Sequence, residues 1–134
     1  MKYPTQILNG VIVMKVEKYF AQISEFRTQL CELLSKDALR LYDVIGKKPI
    51  QFNVQGVYVI STPDDREIVY VGKTRTSSII ERLSDHRSGR SDLKGMLKQE
   101  IDRHLVRCVE IANPLKRTYF EFFLIGILQP PCNE

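Results

Sequence analysis

Residues 56–74 read GVYVISTPDDREIVYVGKT. Gly56–Ile60 and Ile68–Val71 are rich in Val, Ile and Tyr, side chains that suit a pleated, half-buried backbone. Between them lies Ser61-Thr62-Pro63-Asp64-Asp65. This is turn chemistry: proline presets φ, and Ser, Thr and Asp side chains bond to nearby backbone. The segment is expected to fold as a β-hairpin. Folded about Asp64, it sets Tyr58 opposite Tyr70, and Val57 and Val59 opposite Val71 and Val69. Alternation then places both phenols on one face and the valines on the other.

The rest of the chain supplies mainly helices. Val16, Tyr19, Ile23, Phe26, Leu30 and Leu33 recur at spacings of three and four. They predict an amphipathic helix from about Met14 to Leu34. Its apolar face packs either on the domain's own core or on a second copy. Ser35 or Asp37 is a candidate cap for a short helix through Ile45, ended by Gly46 and Pro49. Lys47–Gln55 reads as a connector. Ser77 or Ser78 can cap a helix carrying Ile79, Ile80, Leu83 and His86. Ser91 with Asp92 can cap another, Leu93 to about Arg103, with Leu93, Met96, Leu97 and Ile101 inward. Leu105–Ile111 alternates like a third strand. Asn113 and Pro114 open a last helix, with proline at its first position. Tyr119, Phe120, Phe122, Phe123, Leu124, Ile127 and Leu128 surround that helix almost completely, which predicts burial on all sides. Pro130 and Pro131 end it. The expected fold class is α+β: a small three-stranded sheet covered by helices.

The chain has 134 residues, enough for one compact domain, and 43% of them are hydrophobic. The net charge of +4 is compatible with a polyanionic partner. Cys31, Cys108 and Cys132 are scattered, form no C-x-x-C pair, and have only His86 and His104 to accompany them. A zinc site is therefore not expected, and buried free thiols in a reducing cytoplasm are. No apolar run approaches the roughly 20 residues that span a bilayer. The N-terminal stretch lacks the long apolar core and small-residue cleavage site of a signal peptide.

Two features bear on chemistry. Glu121 stands in the apolar surface of the last helix, where a carboxylate is costly unless it is paired or binds a metal. A salt bridge to Arg117, one turn earlier, and a metal are the two alternatives. Lys73, Arg75, Arg82, His86, Arg87 and Arg90 follow directly on the second tyrosine. Arg82 and His86 are four apart, hence on one helix face. Such a cluster is either a solvated basic surface or an anion site, and the planar fork of arginine binds two phosphate oxygens at once. Gly72-Lys73-Thr74 resembles the end of a phosphate-binding P-loop. That motif needs a glycine five residues before Gly72, where Glu67 stands.

Together these residues resemble the GIY-YIG nuclease superfamily. The paired phrases are Gly56-Val57-Tyr58 and Tyr70-Val71-Gly72. The resemblance continues through Arg82-x-x-x-His86, Glu121-x-x-Leu124-Ile125, Leu128-x-Pro130 and Asn133. Residues 51–134 would form the nuclease core, and residues 1–50 a helical extension serving as a dimerisation or DNA-contacting arm. The resemblance implies a metal-dependent DNA endonuclease that leaves 5′-phosphate and 3′-hydroxyl ends. Tyr58 would activate water and Tyr70 would be its partner. Arg82 would neutralise phosphate charge, and His86 would orient or relay a proton from Tyr58. Glu121 would hold the metal, and Asn133 would brace the site. Lys73, Arg75, Arg87 and Arg90 would contact DNA. A single carboxylate suits Mg²⁺, with Mn²⁺ as a substitute. A tyrosine with an ordinary pKa of about 10 needs nearby cations to lower it if it is to act as a base. A stand-alone chain of this length suits a restriction-type or mobile-element enzyme. Cutting both strands would favour a homodimer built on the first helix. The alternative is a DNA-binding module that keeps the fold without the chemistry.

Overall fold

A computed structural model describes residues 10–91 and 93–133. In chain order the elements are α1 (Gly10–Ser35), β1 (Leu39–Arg40), α2 (Leu41–Lys47), β2 (Gly56–Ser61) and β3 (Ile68–Lys73). They continue with α3 (Ile79–Ser88), α4 (Leu93–Leu97), β4 (Leu105–Glu110) and α5 (Pro114–Leu128). Single 3₁₀ segments lie at Ile50–Phe52 and Lys98–Arg103. The strands form one antiparallel sheet in the order β1-β4-β2-β3.

The sheet has four strands where the pattern predicts three. The extra one, β1, pairs Leu39 with Val106 and Arg40 with Leu105. Two residues are too few to show a period, so β1 leaves no trace in the alternation of the sequence.

Strand β2 lies inside the sheet and is buried along its whole length. Its even-numbered residues, Tyr58 and Ile60, join a core with Leu41, Val44, Ile79, Leu83, Leu93, Val106 and Cys108. Its odd-numbered residues, Val57 and Val59, join a second core with Phe26, Leu33, Val71, Val109, Phe120 and Leu124. The sheet is thus covered on both faces: by α2, α3 and α4 on the side of the phenols, and by α1 and α5 on the side of the valines.

The hairpin forms, but its register differs from a fold about Asp64. Tyr58 faces Gly72, Val59 faces Val71, and Ile60 faces Tyr70. The displacement is an even number of residues, so Tyr58 and Tyr70 still share a face. A bulge between Ile60 and Ser61 changes the count at the turn, because Ser61 faces Ile68 and leaves Val69 between two ladder pairs. Val69 accordingly packs with the phenol-side core, not with Val57 and Val59. The loop is closed by Thr62 N donating to the Glu67 carbonyl and by Asp65 in a left-handed conformation, φ 59°. Arg107 on β4 clamps the Asp65 carboxylate from across the sheet, at 2.8 Å through one of its nitrogens.

Helix α1 begins earlier than the apolar spacing suggests. Phe26 and Leu33 are buried in its second half, while Tyr19 and Phe20 are 63% and 58% exposed. Among the described side chains only those of the second half dock, so the expected inward face fails at Tyr19; the Val16 side chain lies outside the described residues. Helix α2 starts after Arg40 rather than at Ser35 or Asp37, and passes Gly46 to end at Lys48 in a left-handed cap. The segment after Ser91 splits into α4 and the 3₁₀ segment, with Leu93, Leu97 and Ile101 buried. Asp92 and the Met96 side chain lie outside the described residues. Asn113 caps α5, accepting from Leu115 N and Lys116 N. Burial all round is not observed: Leu115, Tyr119, Phe122 and Ile127 are exposed, Arg117, Phe120 and Leu124 are buried, and Phe123, Ile125 and Leu128 are partly buried against the same core. No helix among the described residues is long and apolar enough to cross a membrane.

The two halves of α1 should respond differently to truncation. Phe26 packs on Phe120 and Phe123 with ring centroids 5.5 and 5.4 Å away. Phe26→Ala is expected to cost about 3–5 kcal/mol. Tyr19→Ala is expected to cost less than about 0.5 kcal/mol. Urea unfolding of the two variants checks the difference; equal losses would contradict it.

Candidate active site

The site is built around Tyr58 in the middle of β2. Its ring lies over Gly72 on β3: a Cβ at that position would meet Tyr58 Cζ and Oη at 2.4 Å. Glycine at 72 is therefore a condition for the phenol being there. Tyr58 has 0% exposure. Its hydroxyl lies 2.6 Å from His86 Nε2, and His86 Nδ1 lies 2.5 Å from Ser91 Oγ. A buried hydroxyl needs such a partner.

Helix α3 delivers the imidazole. Ser78 caps it by accepting from Glu81 N at 3.2 Å. Ile79, Ile80 and Leu83 fix its rotation against the core, and His86 turns inward with them. The His86 ring is 5.2 Å from Tyr70 and 6.0 Å from Tyr58, centroid to centroid, and the two phenols are 6.3 Å apart. Arg82, one turn earlier, is half-buried and faces an open cavity of about 460 Å³. Tyr70, Lys73, Arg75, Thr76, Ser77, Asp85 and Glu121 complete its wall. The cavity thus brings together side chains from β3, the loop after it, α3 and α5.

Glu121 is half-buried and makes no hydrogen bond or ion pair among the described residues. The alternative partner, Arg117, points elsewhere: it is buried and donates to Thr74 Oγ1 at 3.2 Å. Burial raises the Glu121 pKa, against the lowering effect of Lys73, Arg75 and Arg82. Lys73 Nζ donates to Thr118 Oγ1 on α5 at 2.7 Å.

The protonation of the site is governed by burial. The Tyr58 pKa is pushed well above the usual phenol value by burial and then by Tyr70, with Arg82 opposing. Tyr70 is raised in the same way, again by burial first. Of the chain's own cations expected to lower the tyrosines, Arg82 opposes desolvation without offsetting it. His86 is lowered to about 4 by burial and by Arg82, so its imidazole is neutral at physiological pH.

Among the described residues no group of three His, Cys, Asp or Glu side chains surrounds a common point. One unpaired carboxylate on an open cavity does not suit zinc, which takes three or four protein ligands. It fits a hard cation that keeps most of its waters, as Mg²⁺ does.

Several residues lie apart from the cavity. Arg87 pairs with Asp102 at 3.0 Å and sits 5.2 Å over the Tyr42 ring. Arg90 pairs with Asp85 at 3.1 Å. Asn133 binds both the N–H and the carbonyl of Val71, each at 2.7 Å. It acts as a one-residue continuation of the sheet on the free edge of β3, between Tyr70 and Gly72. Sequence reasoning did not single out Ser91 as a partner of His86, since serine before a helix reads as a cap. Thr76 and Asp85 were also missed, being polar residues with no distinguishing pattern, and Ser77 was read only as a candidate helix cap.

The architecture is that of the GIY-YIG endonuclease domain. The N-terminal GIY-YIG endonuclease domain of UvrC from Thermotoga maritima, bound to its catalytic divalent cation, magnesium, matches with a TM-score of 0.52. Identity is 21%, over 67% of this chain and 96% of that one. Two point variants of that domain, each bound to the catalytic divalent cation, match with the same TM-score of 0.52 at 21% and 20% identity, over 67% of this chain and 94% of theirs. At such identities the likeness is one of fold. No protein-family model matches the sequence, and no curated protein does.

Two outcomes test this geometry. Gly72→Ala drives a methyl group into the Tyr58 ring and should destabilise the fold by about 1–3 kcal/mol, read by denaturant unfolding. The second concerns pH. The folded-state His86 pKa of about 4 lies below the unfolded value of about 6.5, so the unfolded chain binds more protons between them. Stability from this group is full above pH about 6.5 and falls as the pH drops towards 4. An imidazole signal of His86 that titrates near 6.5 by NMR would contradict the burial.

Proposed function

We propose that this protein is a divalent-metal-dependent DNA endonuclease that leaves 5′-phosphate and 3′-hydroxyl ends. One observation carries the reading: Tyr70, Lys73, Arg82 and an unpaired Glu121 share one cavity, with the Tyr58–His86–Ser91 chain directly behind it. Lys73, Arg75 and Arg82 with one free carboxylate suit an anion and a cation bound side by side.

Glu121 is the residue that would hold Mg²⁺, or Mn²⁺ in its place. When bound, the ion would supply charge stabilisation at the scissile phosphate and the leaving oxygen. Arg82 would grip the phosphate oxygens with its planar fork, and Lys73 would leave Thr118 to add a second charge. Tyr70 is the phenol that meets the substrate, since Tyr58 itself has no exposed surface. The proton of the attacking water would reach Tyr58 by way of Tyr70, each phenol gaining one proton as it gives up another, and Tyr58's own would pass to His86. With its proton on Nδ1 towards Ser91, His86 offers Nε2 as the acceptor. An imidazole with a pKa of about 4 is a weak base, but a phosphodiester entering beside it raises that value. Asn133 would keep β3, and with it Tyr70, in place.

Arg75 on the cavity rim would extend the grip along the DNA backbone, with Arg87 and Arg90 released from their carboxylates or acting from the flank. Residues 1–50 are read as an arm on a core of residues 51–134. The exposed Tyr19 and Phe20 support a homodimer formed through α1. Two cavities on one duplex would suit a restriction-type or mobile-element enzyme acting in the cytoplasm.

Supercoiled plasmid with Mg²⁺ tests the reading. Wild-type protein should nick or linearise it, and DNA ligase should reseal the products without added kinase. Arg82→Ala should slow cleavage by about 10²–10³-fold. Glu121→Ala should abolish metal-dependent cleavage while DNA is still retained at low salt. Retention without cleavage by the wild type, with either Mg²⁺ or Mn²⁺, would establish the binding module instead.

A further inference from the structure

Arg117 is the largest fully buried side chain among the described residues, at 2% exposure, and the site described above does not use it. It forms no ion pair among the described residues, and its Nε has no hydrogen-bond partner. A buried guanidinium without a carboxylate is expensive, so its one strong contact requires an account. That contact runs from NH1 to Thr74 Oγ1 at 3.2 Å.

Thr74 occupies a junction. Its N–H donates to the Gly56 carbonyl, and its hydroxyl accepts from Gly56 N, both at 3.0 Å. It thereby carries the β2–β3 pairing one residue past the end of β3. Its two neighbours in sequence, Lys73 and Arg75, line the cavity. Arg117 stands one turn before Glu121 on α5. The Arg117–Thr74 bond therefore joins the segment bearing two of the cavity's cations to the helix bearing its carboxylate. A second link, Lys73 Nζ to Thr118 Oγ1, is half-buried and uses the very ammonium that a bound anion would attract. Of the two links, only the buried one involves no side chain that lines the cavity.

We propose that Arg117 is a positioning residue, which fixes Lys73 and Arg75 relative to Glu121 by binding Thr74 under the cavity. This rests on the endonuclease reading for its consequence in catalysis. The geometry of the tie does not depend on that reading. A displacement of about 1 Å between groups that act together costs on the order of 10²-fold in rate, while binding through exposed charges tolerates it.

The test compares wild type, Arg117→Met, Arg117→Lys, Thr74→Val and the double variant Arg117→Met/Thr74→Val. Methionine keeps the apolar volume and removes the unpaired charge, a change that buried sites often accept without loss of folding. On plasmid with Mg²⁺, Arg117→Met and Thr74→Val should each lower kcat by about tenfold or more with KM changed little. The double variant should lose no more than the worse single one, and Arg117→Lys should recover part of the rate. Losses that multiply in the double variant, a kcat at the wild-type level, or a loss that follows the unfolded fraction in urea would each overturn the proposal. Should Arg117→Met fail to fold, Thr74→Val carries the same expectations. Exchange of the Gly56 amide separates this proposal from the endonuclease reading. It should quicken about threefold or more in Arg117→Met and be largely restored in Arg117→Lys. Absence of cleavage by the wild type sinks the endonuclease reading alone. An unchanged Gly56 amide sinks the tie.

Discussion

The Tyr58 ring lying flat over Gly72 is the contact on which the rest of the structure depends. It sets the register of the central hairpin. Had Tyr58 faced Tyr70 directly, two rings would have competed for one position and the glycine would have supplied space where nothing needed it. With Gly72 opposite, the ring occupies room that no other residue type leaves free. Its hydroxyl is thereby brought to the inner end of α3, where His86 Nε2 satisfies it while Ser91 satisfies the other ring nitrogen. A packing requirement and a hydrogen-bonding requirement thus choose the same register, and the bulge at Val69 is the local distortion that accommodates it.

Glu121 lines the neighbouring cavity with Lys73, Arg75 and Arg82 without pairing with any of them. It keeps a raised pKa because burial outweighs those three cations, of which Lys73 donates to Thr118 and Arg82 stands 3.9 Å from Asp85. A chain optimised for stability alone would close such groups into ion pairs or replace them with apolar side chains. The surface elsewhere shows that this chain forms pairs readily: Arg107 with Asp65, Arg87 with Asp102, Lys116 with Glu25. The cavity is the exception, and the groups left open there are the ones that would bind an anion and a cation together.

Much of this was legible in the residues because the signals were local. Period-two alternation gave the hairpin and the shared face of Tyr58 and Tyr70, and Asn113-Pro114 gave the start of α5. Arg82 and His86 fell on one helix face by spacing alone. What failed required knowledge of partners. The register depended on a bulge and on a glycine's vacancy, neither of which has a period. Strand β1 was too short for a pattern. Along α5 the apolar residues exceed what one sheet face can cover, so Tyr119 and Phe122 are exposed while Arg117, the residue that hydropathy places outside, is buried. Ser91 was hidden because its hydroxyl looks the same whether it caps a helix or meets an imidazole.

Burial also decides which protonation chemistry the chain's own residues can support. The cations around Tyr58 do not lower its pKa against desolvation, so a standing phenolate is not the resting form. A phosphodiester entering the cavity adds negative charge and raises Tyr58 further, but it raises His86 as well. The phenol becomes harder to ionise as the imidazole becomes easier to protonate. A proton passed through the Tyr58 hydroxyl onto His86 Nε2 satisfies both trends, because the phenol gains one proton as it gives up another and remains neutral. On the proposed endonuclease reading, the 2.6 Å contact between them would be the step on which water activation turns, and the arrival of substrate charge would make it favourable. Tyr58 can be fully buried on this account, since it need only be one link away from the water it serves.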